Sequence, residues 1–267
     1  MTLELLDDPA DARLDAYRDL RAAERFVREG LVVAEGPTVV RTLLTAPRFR
    51  TRSVLVSPAQ RERLRDVLDA APAVYVASDA VIARVAGFGF HRGAVALGER
   101  CAPASLDSLV AGAPRLLVAC EDLAQADNVG AVFRNAHAFG AAGVLLSPGC
   151  CDPLYRKAVR TSAGAALHVP FARAASWPGD LARLRDAGLR IVALTPRADA
   201  TPLDAVRLPS DARVVLLVGA EGPGLGDAAL AAADDAVRIP MAPGVDSLNV
   251  ATAAGIALWA LAGRTHG

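Results

Sequence analysis

Five short runs of almost unbroken apolar residues, at 116–119, 143–146, 191–194, 214–218 and 236–239, limit what this 267-residue chain can fold into more than any other feature. A strand with one wet face alternates apolar and polar side chains; these runs do not, so each has to be covered on both faces. Stretches of helical length separate them. The pattern predicts an α/β architecture with a parallel sheet.

The first hundred residues carry a smaller version of the same alternation. Strands are expected at 32–34, 53–56, 73–76 and 94–97, and helices at 37–44, 58–70 and 78–85. An amphipathic helix over 11–28, with Leu14, Tyr17, Leu20, Phe26 and Val27 on its apolar face, should be stopped by Gly30. Residues 1–100 then form one compact α/β domain. Pro103, Gly112 and Pro114 mark 101–114 as a linker, and 115–267 form the second domain.

Charge and cysteine content narrow the function classes. Basic and acidic residues balance at 29 each, so no global field announces nucleic acid. Lys157 is the single lysine. Arginine suits bidentate phosphate contact and base stacking, although a GC-rich coding bias yields the same preference. Cys101, Cys120, Cys150 and Cys151 show no C-x-x-C spacing, so neither a disulfide framework nor a metal site is expected. The first residues lack the basic and apolar regions of a signal peptide, which makes a cytoplasmic location the default expectation. The longest apolar run, 250–262, is shorter than the roughly 20 residues that span a bilayer, so no membrane segment is expected.

Three segments carry the chemistry. The first, Glu121 to Gly140, runs from a strand end into a helix with Asn128 and Arg134 near its start. Asn128 also has the chemistry of an N-cap, a role Asp127 shares. The second, Leu216 to Gly226, is an apolar strand entering a glycine-dense loop whose one carboxylate is Glu221. The third, Arg238 to Trp259, sets a loop shaped by Pro240, Pro243 and Gly244 against a helix start. Asp246 or Ser247 can cap that helix, with Ser247 and Asn249 in its first turn. A helix mouth of this kind offers free N–H groups to a ligand.

In this order and spacing, the three segments resemble the sequence motifs of the SpoU (TrmH-type) branch of the SPOUT RNA methyltransferases, over roughly residues 115 to 262. The resemblance implies an S-adenosylmethionine-dependent enzyme that methylates a ribose 2′-hydroxyl in RNA, most readily ribosomal RNA. It also implies a homodimer built around a C-terminal trefoil-knot domain. Carried over residue by residue, it assigns catalysis to Arg134, Asn128, Glu221, Ser247 and Asn249, and cofactor binding to Val218, Gly219, Ile239, Met241 and Leu248. The chain departs from the family at Ala220, where Asn is common, and at Ala251, where Ser is common. The opening Gly30 to Val40 resembles the small ribosomal-protein-like substrate-binding domain that many SpoU enzymes place first. There His91-Arg92-Gly93 replaces the usual Gln-Gly.

Methyl transfer from a sulfonium needs alignment more than acid strength, because the leaving group is good. The family proposal makes Arg134 a general base. Against it, a guanidinium has a pKa above about 12, so neutralising one at neutral pH costs at least about 7 kcal/mol. The preferred role is binding of the target phosphate and orientation of the 2′-hydroxyl, with a phosphate oxygen or water taking the proton. Arg156, Lys157 and Arg160 form the best RNA-backbone patch of the second half, and the reading adds Arg18, Arg21, Arg41 and Arg92 from the first.

Competing readings are a tRNA 2′-O-methyltransferase, a catalytically silent RNA-binding homodimer that Ala220 and Ala251 keep alive, and a nucleotide-binding protein. The last lacks both G-x-x-x-x-G-K-[ST] and G-x-G-x-x-G at 219–226. His91, His137, His168 and His266 are scattered, with no acid partner at catalytic spacing.

Overall fold

The computed structural model describes residues 2–87 and 92–265, so His91 and His266 lie outside the described residues. The chain groups into two compact units, Met1–Ala102 with Pro153–His168, and Pro103–Asp152 with Val169–Gly267.

In chain order the elements are β1 (Thr2–Leu5), α1 (Ala23–Arg28), β2 (Leu31–Glu35), α2 (Pro37–Thr45), β3 (Arg50–Val56), α3 (Pro58–Leu64), β4 (Ala73–Val76), α4 (Asp79–Ala86) and β5 (Ala94–Glu99). Then follow α5 (Leu106–Val110), β6 (Leu116–Cys120), α6 (Ala126–Ala138), β7 (Val144–Leu146), α7 (Arg156–Thr161), α8 (Ala165–His168), β8 (Phe171–Arg173) and α9 (Gly179–Asp186). The last are β9 (Arg190–Leu194), β10 (Thr201–Pro202), β11 (Val214–Val218), α10 (Asp227–Ala231), β12 (Asp235–Arg238) and α11 (Val250–Thr265).

The first unit is a mixed five-stranded sheet in the order β1-β4-β3-β5-β2. Strands β1, β4 and β3 run parallel, whereas β5 pairs antiparallel with both β3 and β2. Ser57 and Ser78 cap α3 and α4 by accepting the N–H of Gln60 and Val81. The expected helix over 11–28 is instead a 3-10 turn at Ala12–Tyr17 followed by α1. Asp19 takes a left-handed φ of 47° between them, which no helix continues through. The apolar periodicity still located the buried face: Leu14, Tyr17, Leu20 and Phe26 join Leu31, Leu55 and Ile82 in one core. The helix expected over 58–70 likewise ends at Leu64, with a separate 3-10 turn at Leu68–Ala70.

The second unit is a seven-stranded sheet in the order β10-β12-β9-β11-β6-β7-β8, parallel throughout. The five expected strands are all present; β8 and β10, three and two residues long, are too short to leave a periodic signal. Every residue of β6 and β11 is buried. On one face Leu117, Leu217 and Ile191 pack with Leu181 and Leu184 of α9 and with Leu106 and Leu109 of α5. On the other, α11 packs against α6, β11 and β9. Segment 101–114 therefore carries a helix whose Leu106 and Leu109 are buried, with Ser105 capping it.

Phe133 of α6 is fully buried and meets Phe171 edge-on at 6.0 Å between ring centroids. Phe133→Ala should lower the unfolding free energy by about 3–5 kcal/mol. A urea unfolding midpoint equal to that of the parent chain would contradict this.

Candidate active site

The parallel sheet sets the site. Its strands β9, β11 and β12 end on the same side, and the loops that follow them enclose a cleft of about 410 Å³, in the size range of small-ligand pockets. The lining comes from Leu194 to Pro196 at the end of β9, Val218 to Gly222 and Gly224 at the end of β11, and Ile239, Met241 and Ser247 to Val250 after β12. All five residues expected to hold a cofactor, Val218, Gly219, Ile239, Met241 and Leu248, line it, as do Glu221, Ser247 and Asn249.

The loop after β11 closes on itself through the Gly224 N–H, which donates to the Ala220 carbonyl at 3.0 Å. Gly222 and Gly224 adopt φ of 89° and 72°, where a side chain is strained. Gly219 is fixed for another reason: a Cβ there would lie 2.4 Å from the carbonyl carbon and oxygen of Gly224. Both neighbours are backbone and cannot step aside. The far end of the loop is held by Glu121, which accepts the Gly226 N–H at 2.8 Å and the Trp177 indole N–H at 2.7 Å. No local pattern marks Glu121 for this role, because its partners are 56 and 105 residues away.

Asn249 joins the three segments. Its Oδ1 accepts the N–H groups of Ala251 at 3.0 Å and Thr252 at 3.3 Å, so Asn249 caps α11. Its Nδ2 donates to Asn128 Oδ1 at 3.1 Å and to Glu221 Oε1 at 2.6 Å. The cap was expected at Asp246 or Ser247, with Asn249 inside the helix. The helix begins one residue later than Asn249, and Ser247 is left in the cleft wall. Similarly α6 starts at Ala126 without a side-chain cap, so neither Asp127 nor Asn128 plays that part.

Arg134 is exposed on α6 and makes no hydrogen bond or ion pair among the described residues. Asn128, by contrast, is buried. The structure thus brings Asn128, Glu221 and Asn249 into direct contact, while the guanidinium of Arg134 keeps all its donors. Cys120 and Cys150 offer no nucleophile: burial pushes both thiols above their ordinary range. Leu194, Thr195 and Pro196 were missed as lining residues, since only the strand order places the end of β9 beside that of β11.

The arginines expected to meet RNA are placed less uniformly, and all lie in the first unit. Arg18 pairs with Asp15 at 2.8 Å. Arg41 forks onto both carboxylate oxygens of Asp66, at 2.5 and 2.8 Å, and holds that carboxyl below its usual range. Arg21 and Lys157 are exposed. Arg92, Arg156 and Arg160 gather around Glu35.

A family model described as the SpoU rRNA Methylase family matches residues 115–259. An uncharacterised tRNA/rRNA methyltransferase of Mycobacterium tuberculosis (strain H37Rv) is 45% identical over 258 residues, covering 94% of this chain and 89% of its own length. Among solved structures, an AdoMet-bound rRNA methyltransferase from Sinorhizobium meliloti superposes with a TM-score of 0.80 at 25% identity, over 99% of this chain and 98% of that one. An RNA 2′-O ribose methyltransferase gives 0.77 at 26% identity, over 98% and 99%.

Asn249→Ala removes the cap of α11 and strips Asn128 and Glu221 of their shared donor. The expected loss is about 1–2 kcal/mol in unfolding free energy. Calorimetric unfolding at an unchanged temperature would show that the cap is replaceable.

Proposed function

The chain belongs to the SpoU rRNA methylase family, and we propose that this S-adenosylmethionine-dependent RNA methyltransferase acts on a ribose 2′-hydroxyl, with ribosomal RNA as its substrate. The observation that carries the reading is the Asn249 contact, which gathers a residue from each of the three motif segments at the mouth of one cleft.

The cleft suits the cofactor. Leu194, Val218, Ile239, Met241 and Leu248 supply apolar walls for an adenine, and the strand ends present backbone donors and acceptors for its edge. When bound, S-adenosylmethionine supplies an electrophilic methyl group on a sulfonium. The protein's part is alignment. Arg134, with its donors unspent, grips a phosphate beside the target nucleotide and turns the 2′-hydroxyl toward the cleft. Asn128 and Asn249 hold the loop that carries Glu221 in place. The hydroxyl proton passes to a phosphate oxygen or water rather than to the guanidinium, which stays charged.

The departure at Ala251 does not favour a silent RNA-binding protein. Ala251 contributes its N–H to Asn249 and its carbonyl to the Asn135 amide, at 2.6 Å, and both are backbone groups any residue supplies.

The proposal includes a trefoil-knotted C-terminus and a homodimer. Small residues suit close packing between helices, but the small-residue stripe of α11 is already covered within the chain. Ala251, Ala254 and Leu258 are buried within the chain, and Gly255 faces Asn135 of α6. The opposite stripe of α11 is the candidate, with Ile256 and Trp259 at 39% and 70% exposure. An apolar face of this kind fits a second copy of itself.

Two outcomes are expected. Arg134→Lys keeps the charge but loses the planar fork, so it should fall nearly as far in turnover as Arg134→Ala, while calorimetry shows cofactor affinity intact. Turnover is read as 2′-O-methylnucleoside released from ribosomal RNA and identified by mass spectrometry; methyl on a base instead would overturn the ribose reading. Trp259→Glu should yield monomers by light scattering where the parent chain gives dimers, and a persistent dimer would place the interface elsewhere.

A further inference from the structure

Glu35 closes β2 with its side chain only 4% exposed, yet three arginines converge on it from two other parts of the first unit. Arg156 of α7 donates to Oε2 and is itself largely buried, so the carboxylate is not left uncompensated. Arg92 and Arg160 both approach the other oxygen, Oε1, each at 3.8 Å. That is ion-pair range but beyond a hydrogen bond. Neither guanidinium makes a hydrogen bond among the described residues, and their side chains are 52% and 35% exposed.

Two features show that the arrangement is built. Gly36 takes φ 89°, and a Cβ there would meet Arg92 Cδ at 3.1 Å and Nη1 at 3.2 Å, so the missing side chain gives Arg92 its path to Glu35. Gly164, at φ 90° beyond α7, packs on Thr42 of α2, where a Cβ would lie 2.9 Å from Oγ1. This close contact seats the segment bearing Arg156 and Arg160 against the sheet.

We propose that Glu35, Arg92 and Arg160 form a phosphate clamp for the RNA backbone, a site in the first unit that rests on the RNA methyltransferase reading but lies outside the cofactor cleft. The geometry sets its ligand. With Oε1 as a common centre, the two guanidinium nitrogens lie within about 7.6 Å of each other, the limit of two 3.8 Å arms. Two oxygens of one phosphate, each accepting a charge-assisted bond of about 2.8 Å, can bridge that span. One carboxylate, already engaged by Arg156, cannot neutralise two further cations, so the pair carries excess positive charge at a solvent-facing position. Glu35 is the positioning residue: it offsets enough repulsion to hold the two arginines side by side and is too buried to meet the RNA. Arg41 illustrates the contrast, since its fork is already filled by Asp66.

The test uses the full chain and a short fluorescein-labelled RNA hairpin, with polarisation read across a salt series. Arg92→Gln and Arg160→Gln should each weaken binding roughly tenfold at fixed salt, the size expected for losing a hydrogen bond between charged groups. The double variant should flatten the log–log salt dependence by about one phosphate contact. Melting temperature and S-adenosylmethionine affinity should stay at parent values in all three, which separates RNA contact from a fold defect. If the parent chain binds the hairpin and the double variant binds it equally well, the arginines serve only to seat α7 and the clamp is overturned. A slope change of about two phosphates would also overturn it, because each arginine would then hold a phosphate of its own. A parent chain that binds no RNA would instead overturn the methyltransferase reading on which the clamp rests.

Discussion

One amide side chain fixes the relation between the three segments that make the cleft. Asn249 spends its oxygen on the first turn of α11 and its nitrogen on Asn128 and Glu221. An amide is suited to this because it is acceptor and donor at once; a carboxylate could cap the helix but not bond to Glu221, and a lysine could do the reverse. The same contact decides where α11 begins, and so where the loop from Ile239 to Leu248 must end. Around it, the absent side chain of Gly219 and the two bonds of Glu121 determine how tightly the neighbouring loop folds.

The second unit uses its polar side chains to join loops, while the first uses a buried acid to gather cations. Glu35 sits where a β-strand meets a helix, and the cost of burying its charge is offset by Arg156. Arg92 and Arg160 are then held near the same carboxylate without saturating it. The balanced composition of the chain hides this, since 29 acids against 29 bases says nothing about three arginines around one glutamate.

Local signals read well where one segment determines its own structure. Ser57 and Ser78 announce the starts of α3 and α4, and Leu14, Tyr17, Leu20 and Phe26 mark a buried face whether or not the backbone stays helical. They failed at Asp19, where a left-handed residue splits the expected helix, and at Asn249, which caps α11 with its oxygen while its Nδ2 bonds partners 28 and 121 residues away. Ala251, Ala254, Gly255 and Leu258 form a packing surface whose partner the local pattern does not name. Small residues allow close approach to any helix, and here that helix is α6 of the same chain.

By itself the sequence determined the α/β class and the parallel strands, and the resemblance carried by its three motifs implied the lining set Val218, Gly219, Ile239, Met241 and Leu248. Apolar periodicity and glycine-rich turns act over a few residues, and the order of three motifs is written along the chain. Only the tertiary structure decided that β9 lies beside β11, that residues 153–168 join the first unit, that Asn249 bonds Asn128 and Glu221, and that Glu35 collects three arginines. Each of these is a meeting of segments tens of residues apart. Such meetings are selected by the packing of the whole core rather than by any local preference.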